Sequence, residues 1–226
     1  MVLSARYIKL EGGDTMLPIN CMYDSAIDTT EGRAIIEGLA EFLNVFPERR
    51  VVNFGMRPFG EGEFSSADWY IKHARKRVHF GRIQLEADSV VDLMMREPWQ
   101  VDPHIDLFFV SNDLYMEESK AEFCFGLSCK RVSVQSVFRY RRMSANDRYL
   151  AVKHTVLHEL GHILGMVSDP KRAKIEDRQG LHCTSPGCVM RQGITALDWV
   201  KNAKASDRNH TLYCPYCLAE GMRSFI

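Results

Sequence analysis

Residues 158–162 read His158-Glu159-Leu160-Gly161-His162, inside a stretch in which Leu157, Leu160, Ile163 and Leu164 recur at helical spacing. Asn146 or Asp147 can cap such a helix and Gly165 can end it. Residues four apart on a helix lie one turn apart on one face. The imidazoles of His158 and His162 can therefore reach a single ion at ~2.0–2.1 Å. Glu159 is one step round the helix, near enough to touch water at that ion but badly placed to join its ligands. This is the pattern of a hydrolytic zinc centre, in which the metal acidifies a water and the carboxylate carries its proton to the leaving amine. His154 extends the row by a turn, but three residues at this spacing span ~12 Å of rise, too far for one ion. It reads as a helix-face residue near the site.

A catalytic zinc of this kind takes a third protein ligand. Downstream candidates are Asp169, Glu176 and His182. The last quarter of the chain also holds Cys183, Cys188, Cys214 and Cys217. Four thiols in two short-spaced pairs suit a closed tetrahedral zinc site. The rival redox reading of Cys214-Pro-Tyr-Cys217 lacks the βαβ context that chemistry uses. Cys21, Cys124 and Cys129 lie in apolar stretches and read as small buried hydrophobes.

Around this centre the chain is ordinary in bulk. Its 226 residues, 46% hydrophobic and 26% charged, suffice for a packed core. Formal net charge is zero, which argues against broad binding to nucleic acid or anionic lipid. The basic cluster Arg139–Arg142 reads as a solvated strand end. Met1–Leu10 lacks the apolar core of a signal peptide, and no stretch has the ~20 apolar residues of a membrane span. The expectation is a cytoplasmic monomer with no membrane or nucleic-acid partner, its cysteines free of disulfides.

Ile35, Ile36, Leu39, Phe42 and Leu43 predict a helix over 31–45, capped by Thr29 or Thr30 and followed by Pro47. Arg49–Gly55 is β-rich, Phe59–Asp68 reads as a loop, and Glu86–Arg96 as a helix ended by Pro98. The apolar run Ile105–Val110 predicts a buried strand. Phe123–Leu127 and Val132–Phe138 predict an antiparallel hairpin. Ser168–Gly180 reads as a charged loop, and Ile194–Trp199 as the start of a core helix.

The run His158-Glu159-x-x-His162-x-x-Gly165 resembles the metzincin signature, although Ser168 stands where that signature has its third His. Residues 182–190, His-Cys-Thr-Ser-Pro-Gly-Cys-Val-Met, followed by Cys214-Pro-Tyr-Cys217, resemble the archaemetzincin family. The interval between Gly165 and His182 then contains a 14-residue insertion, Val167–Gly180, cheap in closure entropy as a surface loop. The helix Glu31–Val45, Arg82-Ile-Gln84 before a helix, and Phe123-Cys-Phe-Gly126 are similar to the family's upper subdomain.

The resemblance implies an α+β metzincin-like fold: a mixed, mostly parallel sheet with an antiparallel edge strand, an active-site helix, and a small cysteine-rich zinc-bound C-terminal subdomain. Residues 1–166 would form the upper subdomain and 167–226 the lower. It implies two zincs, one catalytic on His158, His162 and His182, one structural on Cys183, Cys188, Cys214 and Cys217. Glu159 would be the general base and Met190 the Met-turn beneath the metal. The edge strand Phe123, Cys124, Phe125, Gly126, Leu127 and Ser128 would pair with an extended peptide or protein substrate. Adjacent side chains on extended chain point opposite ways, so His182 and Cys183 can face one metal each, the structural zinc pinning the backbone that presents His182. The expected activity is zinc-dependent peptide-bond hydrolysis. The alternatives are a metal-binding regulatory protein without turnover, its cleft covered by the insertion, and a C-terminal zinc-ribbon-like interaction module.

Overall fold

The structure is a computed structural model, and it describes residues 17–49, 51–55, 64–101, 103–117, 121–177, 180–209 and 211–223. The stretch Met1–Leu10 and the part of the Phe59–Asp68 loop before Phe64 lie outside these residues. In chain order the elements are β1 (Ile19–Tyr23), α1 (Thr29–Val45), β2 (Val51–Gly55), α2 (Ala67–His73), β3 (Lys76–His79), β4 (Arg82–Glu86) and α3 (Ala87–Met95). There follow β5 (Ile105–Val110), β6 (Asp113–Met116), β7 (Ala121–Cys124), β8 (Gly126–Cys129), β9 (Val132–Ser136) and α4 (Ala145–Ile163). The C-terminal part holds β10 (Ile175–Asp177), β11 (Leu181–Cys183), α5 (Ala196–Asn209) and α6 (Pro215–Arg223).

The main sheet runs β2-β1-β5-β9-β8, parallel except for β8, which pairs antiparallel with β9 at the edge. Both faces of its central strands are covered, as apolar parallel strands require. Ile105, Leu107 and Phe109 of β5 pack with α1 and α4, whereas Phe108 and Val110 face α2 and α3. That two-sided burial is why Ile105–Val110 reads as a nearly continuous apolar run, broken only by Asp106. A second sheet, β3-β4-β6-β7, holds the strand that leads into β8.

Local signals place the helices. Asp28 caps α1 through a reciprocal box, its side chain accepting from the Glu31 N–H while Glu31 accepts from the Asp28 N–H. Ser144, rather than Asn146 or Asp147, caps α4. The helices α1 and α4 approach closely at Gly38, where a Cβ would lie 3.0 Å from that of Val156.

Beyond the caps, where Asp28 also replaces Thr29 or Thr30 at α1, four expectations need correction. Phe123–Leu127 is not one strand: β7 and β8 belong to different sheets, and Phe125 turns between them. Arg139–Arg142 is not a solvated strand end: Arg139 makes two 2.8 Å bonds to buried Asp113, and Arg141 grips fully buried Glu31. The segment Ser168–Gly180 is not only loop, because β10 pairs antiparallel with β11, Glu176 opposite His182. Of the three scattered cysteines Cys21 is buried, but Cys124 is half-buried and Cys129 exposed.

Candidate metal centre

Helix α4, packed on a face of the main sheet against β8 and β9, carries His158, Glu159 and His162, and β11 supplies His182. The three imidazoles offer ligand nitrogens that all lie within 4.8 Å of one another. The Nε2 atoms of His158 and His162 are 3.0 Å apart. Nδ1 of His158 donates to the Val189 carbonyl at 2.9 Å, and Nδ1 of His182 to that of Gly180 at 2.8 Å. These bonds fix the tautomers and leave both Nε2 lone pairs for a metal. Burial lowers the pKa of His158, His162 and His182, and neighbouring imidazoles lower the first two further, His162 to about 3. All three are thus held neutral, the state a ligand must have. A zinc ion fits this donor set.

Glu159 is buried, and its Oε2 accepts a 2.6 Å bond from Ser128 Oγ on β8. Burial raises its carboxyl to about 7, with the Ser128 bond pulling the other way. A Cβ built on Gly126 would lie 2.6 Å from Glu159 Oε1, so only glycine leaves the carboxylate its place. Met190 is fully buried, and a Cβ on Gly161 would lie 2.2 Å from its Sδ. The composition of the edge strand hid the roles of Gly126 and Ser128; only the pairing of β8 with β9 beside α4 reveals them.

The cleft above the histidines has a volume of about 790 Å³. All six residues from Phe123 to Ser128 line it, as do Glu159, Met166, Val167, Leu181 and Trp199. His154 is not among the converging imidazoles. It is buried in α4 behind Trp199, the ring centroids 5.8 Å apart. Asp169 and Glu176 also stay outside the cluster.

The four thiols of Cys183, Cys188, Cys214 and Cys217 form a second cluster. All are free, with Sγ atoms 3.6 Å apart for Cys183–Cys214 and 3.7 Å for Cys188–Cys217. Tetrahedral thiolates at ~2.3 Å from zinc stand about 3.8 Å apart, whereas a disulfide needs ~2.05 Å. The cluster therefore fits zinc. Hydrogen bonds from Cys188 and Cys217 pull the Cys183 thiol well down and push their own up, to about 12 for Cys188. The amides of Ser185 and Cys214 point at Cys183 and Cys188 at 3.4 and 3.3 Å. Arg172, from the segment between α4 and β10, donates to Cys217 Sγ at 3.2 Å and pairs with Glu220 at 3.1 Å. Glu220 in turn accepts the Val167 N–H at 2.7 Å.

The family model for Reprolysin (M12B) family zinc metalloproteases matches residues 99–216, just over half of the chain. No curated protein sequence matches. Among solved structures, the chain is similar to the archaemetzincin of Methanopyrus kandleri, with TM-score 0.63 and 18% identity over 95% of this chain and 98% of that one. It is also similar to the Archaeoglobus fulgidus archaemetzincin complexed with malonate (TM-score 0.56, 18% identity, 90% and 99% covered). A zinc-dependent peptidase from Methanocorpusculum labreanum gives TM-score 0.55 at 18% identity, again with 90% and 99% covered. At this identity the likeness establishes the fold.

Proposed function

We propose, for a chain that belongs to the Reprolysin (M12B) zinc metalloprotease family and has the archaemetzincin fold, that His158, His162 and His182 hold the catalytic zinc and Glu159 is its general base. One observation carries this reading: three neutral imidazoles converge beside a buried carboxylate, in a cleft bordered by the sheet's edge strand. When bound, zinc supplies the Lewis acidity that polarises a peptide carbonyl and acidifies water.

The chain's own residues do the rest. The outer edge of β8 offers backbone groups to an extended peptide, as in β-augmentation. Phe123, Leu127, Leu181 and Trp199 supply apolar walls that exclude water. Glu159, held by Ser128, takes a proton from the attacking water and delivers it to the leaving amine. Cys183, Cys188, Cys214 and Cys217 would hold a second zinc, and four thiolates are the donor set of a structural site. His182 and Cys183, adjacent on β11, then serve one zinc each, so that the structural ion steadies the backbone presenting His182.

An unbiased peptide-library digest tests the mechanism. Wild type should cleave, a chelator should stop it, and Glu159→Ala with its zinc retained should be slower by a factor on the order of 10²–10⁴. Undiminished cleavage by Glu159→Ala would reject the base assignment. A fully zinc-loaded wild type that cleaves nothing would favour a regulatory, non-catalytic protein instead.

A further inference from the structure

Charge and apolarity concentrate together at one place outside the cleft. Between Asp68 and Glu86 the chain carries Lys72, Arg75, Lys76, Arg77 and Arg82 and no acidic residue, although the whole chain is neutral. Most of this segment forms the antiparallel hairpin β3–β4, at the far edge of the second sheet from β7. Its register pairs Val78 with Ile83 on one face, the face that continues from Leu85. Leu85 is fully buried, yet Ile83 is 58% exposed and Val78 75%, because the hairpin runs out past the core. At the tip Phe80 is 85% exposed, with φ +48 ahead of Gly81 at φ +72. Two successive positive φ values make the tight turn that favours Asn-Gly, and a bulky aromatic is rarely found in it. Here the turn directs the ring into solvent.

Charged side chains alone would be the usual way to blunt an edge strand against pairing. They do not account for three large apolar groups held in water beside them. A nucleic acid would use the cations and could stack a base on Phe80, but it has no use for the exposed aliphatic pair Val78 and Ile83. An anionic bilayer uses both: apolar side chains enter the interface while cations meet the headgroups. Lys72, Lys76 and Arg82 are exposed, Arg82 lying 5.9 Å over the Phe138 ring and the Lys76 ammonium donating to the Lys72 carbonyl at 2.8 Å. Arg75 is held by Glu86, and Arg77 lies over the Tyr115 ring.

We infer that the β3–β4 hairpin is a docking element for an anionic membrane surface, with Val78, Phe80 and Ile83 entering the interface and Lys72, Lys76 and Arg82 facing the headgroups. This rests on the hairpin alone and does not depend on the chemistry assigned to the cleft. Arg77 and Gln84 reach the Glu122 carbonyl at the cleft border, but none of the six docking residues lines the cleft, so a docked chain keeps it open to substrate.

Co-sedimentation with phosphatidylcholine vesicles, with and without phosphatidylserine, tests the proposal. Wild type should bind only vesicles containing phosphatidylserine, and more weakly as salt rises. Phe80→Ser should weaken binding about tenfold, and the Lys76→Glu/Arg82→Glu pair by more, each cation near the surface counting for roughly fivefold. All these residues are exposed, so the unfolding midpoint should not move. Absence of binding, equal binding to both vesicle types, or undiminished binding by Phe80→Ser would overturn the proposal. So would capture by a homopolymeric RNA, rather than by vesicles, that the same variants abolish.

Discussion

Gly126 and Gly161 show how finely the centre depends on single atoms. A methyl group on Gly126 would crowd the Glu159 carboxylate and force it to shift from the position in which Ser128 holds it. Gly126→Ala should therefore slow peptide cleavage about 100-fold while zinc content stays the same, since misplacement of about 1 Å costs that much. Unchanged turnover would mean that the position of Glu159 is not critical. A methyl group on Gly161 would instead strike buried Met190. Gly161→Ala should cost about 1–3 kcal/mol of stability through overpacking, measured by denaturant unfolding. At this scale the sequence was informative where spacing along one helix sufficed, as with His158, Glu159 and His162. It was silent where partners come from another strand, as with Ser128 and Gly126.

The elements differ in how openly they announce themselves. Helix α1 and strand β5 were legible because their burial is regular: one apolar stripe for α1, two covered faces for β5. The break between β7 and β8 was not, because Phe123–Ser128 keeps its apolar and small residues across the change of sheet. Nor was β10, whose three residues Ile175, Glu176 and Asp177 show no alternation that a sequence reader could count. That strand changes the meaning of the insertion. It is built as a hairpin with β11 and tied down by Arg172, which reaches both Cys217 and Glu220. Arg172 offsets thiolate charge, so Arg172→Ala should speed chelator extraction of zinc from the cysteine cluster, by about 10–100-fold as for other outer-shell partners. Extraction at the wild-type rate would show the arginine to be a bystander.

Across the whole molecule, one core cluster runs from Ile19 in the main sheet to Cys183, Met190, Trp199 and Cys217 near the C-terminus. The cysteine cluster is thus part of the packing that holds the sheet and α4 in place. Removal of zinc should lower the unfolding midpoint by about 10 °C or more, and zinc alone should restore it. A midpoint indifferent to chelation would separate the metals from the fold. The neutral net charge, read over the whole chain, also concealed the basic hairpin, because acidic residues elsewhere balance it.

The central claim is that the β10–β11 hairpin delivers His182 to the zinc held by α4, despite the long interval after Gly165. Zinc counting by mass spectrometry under native conditions tests it most directly, on wild type and His182→Ala purified alike. The account predicts two zincs per chain for wild type and one, on the cysteines, for His182→Ala. Two tightly bound zincs in His182→Ala would contradict it.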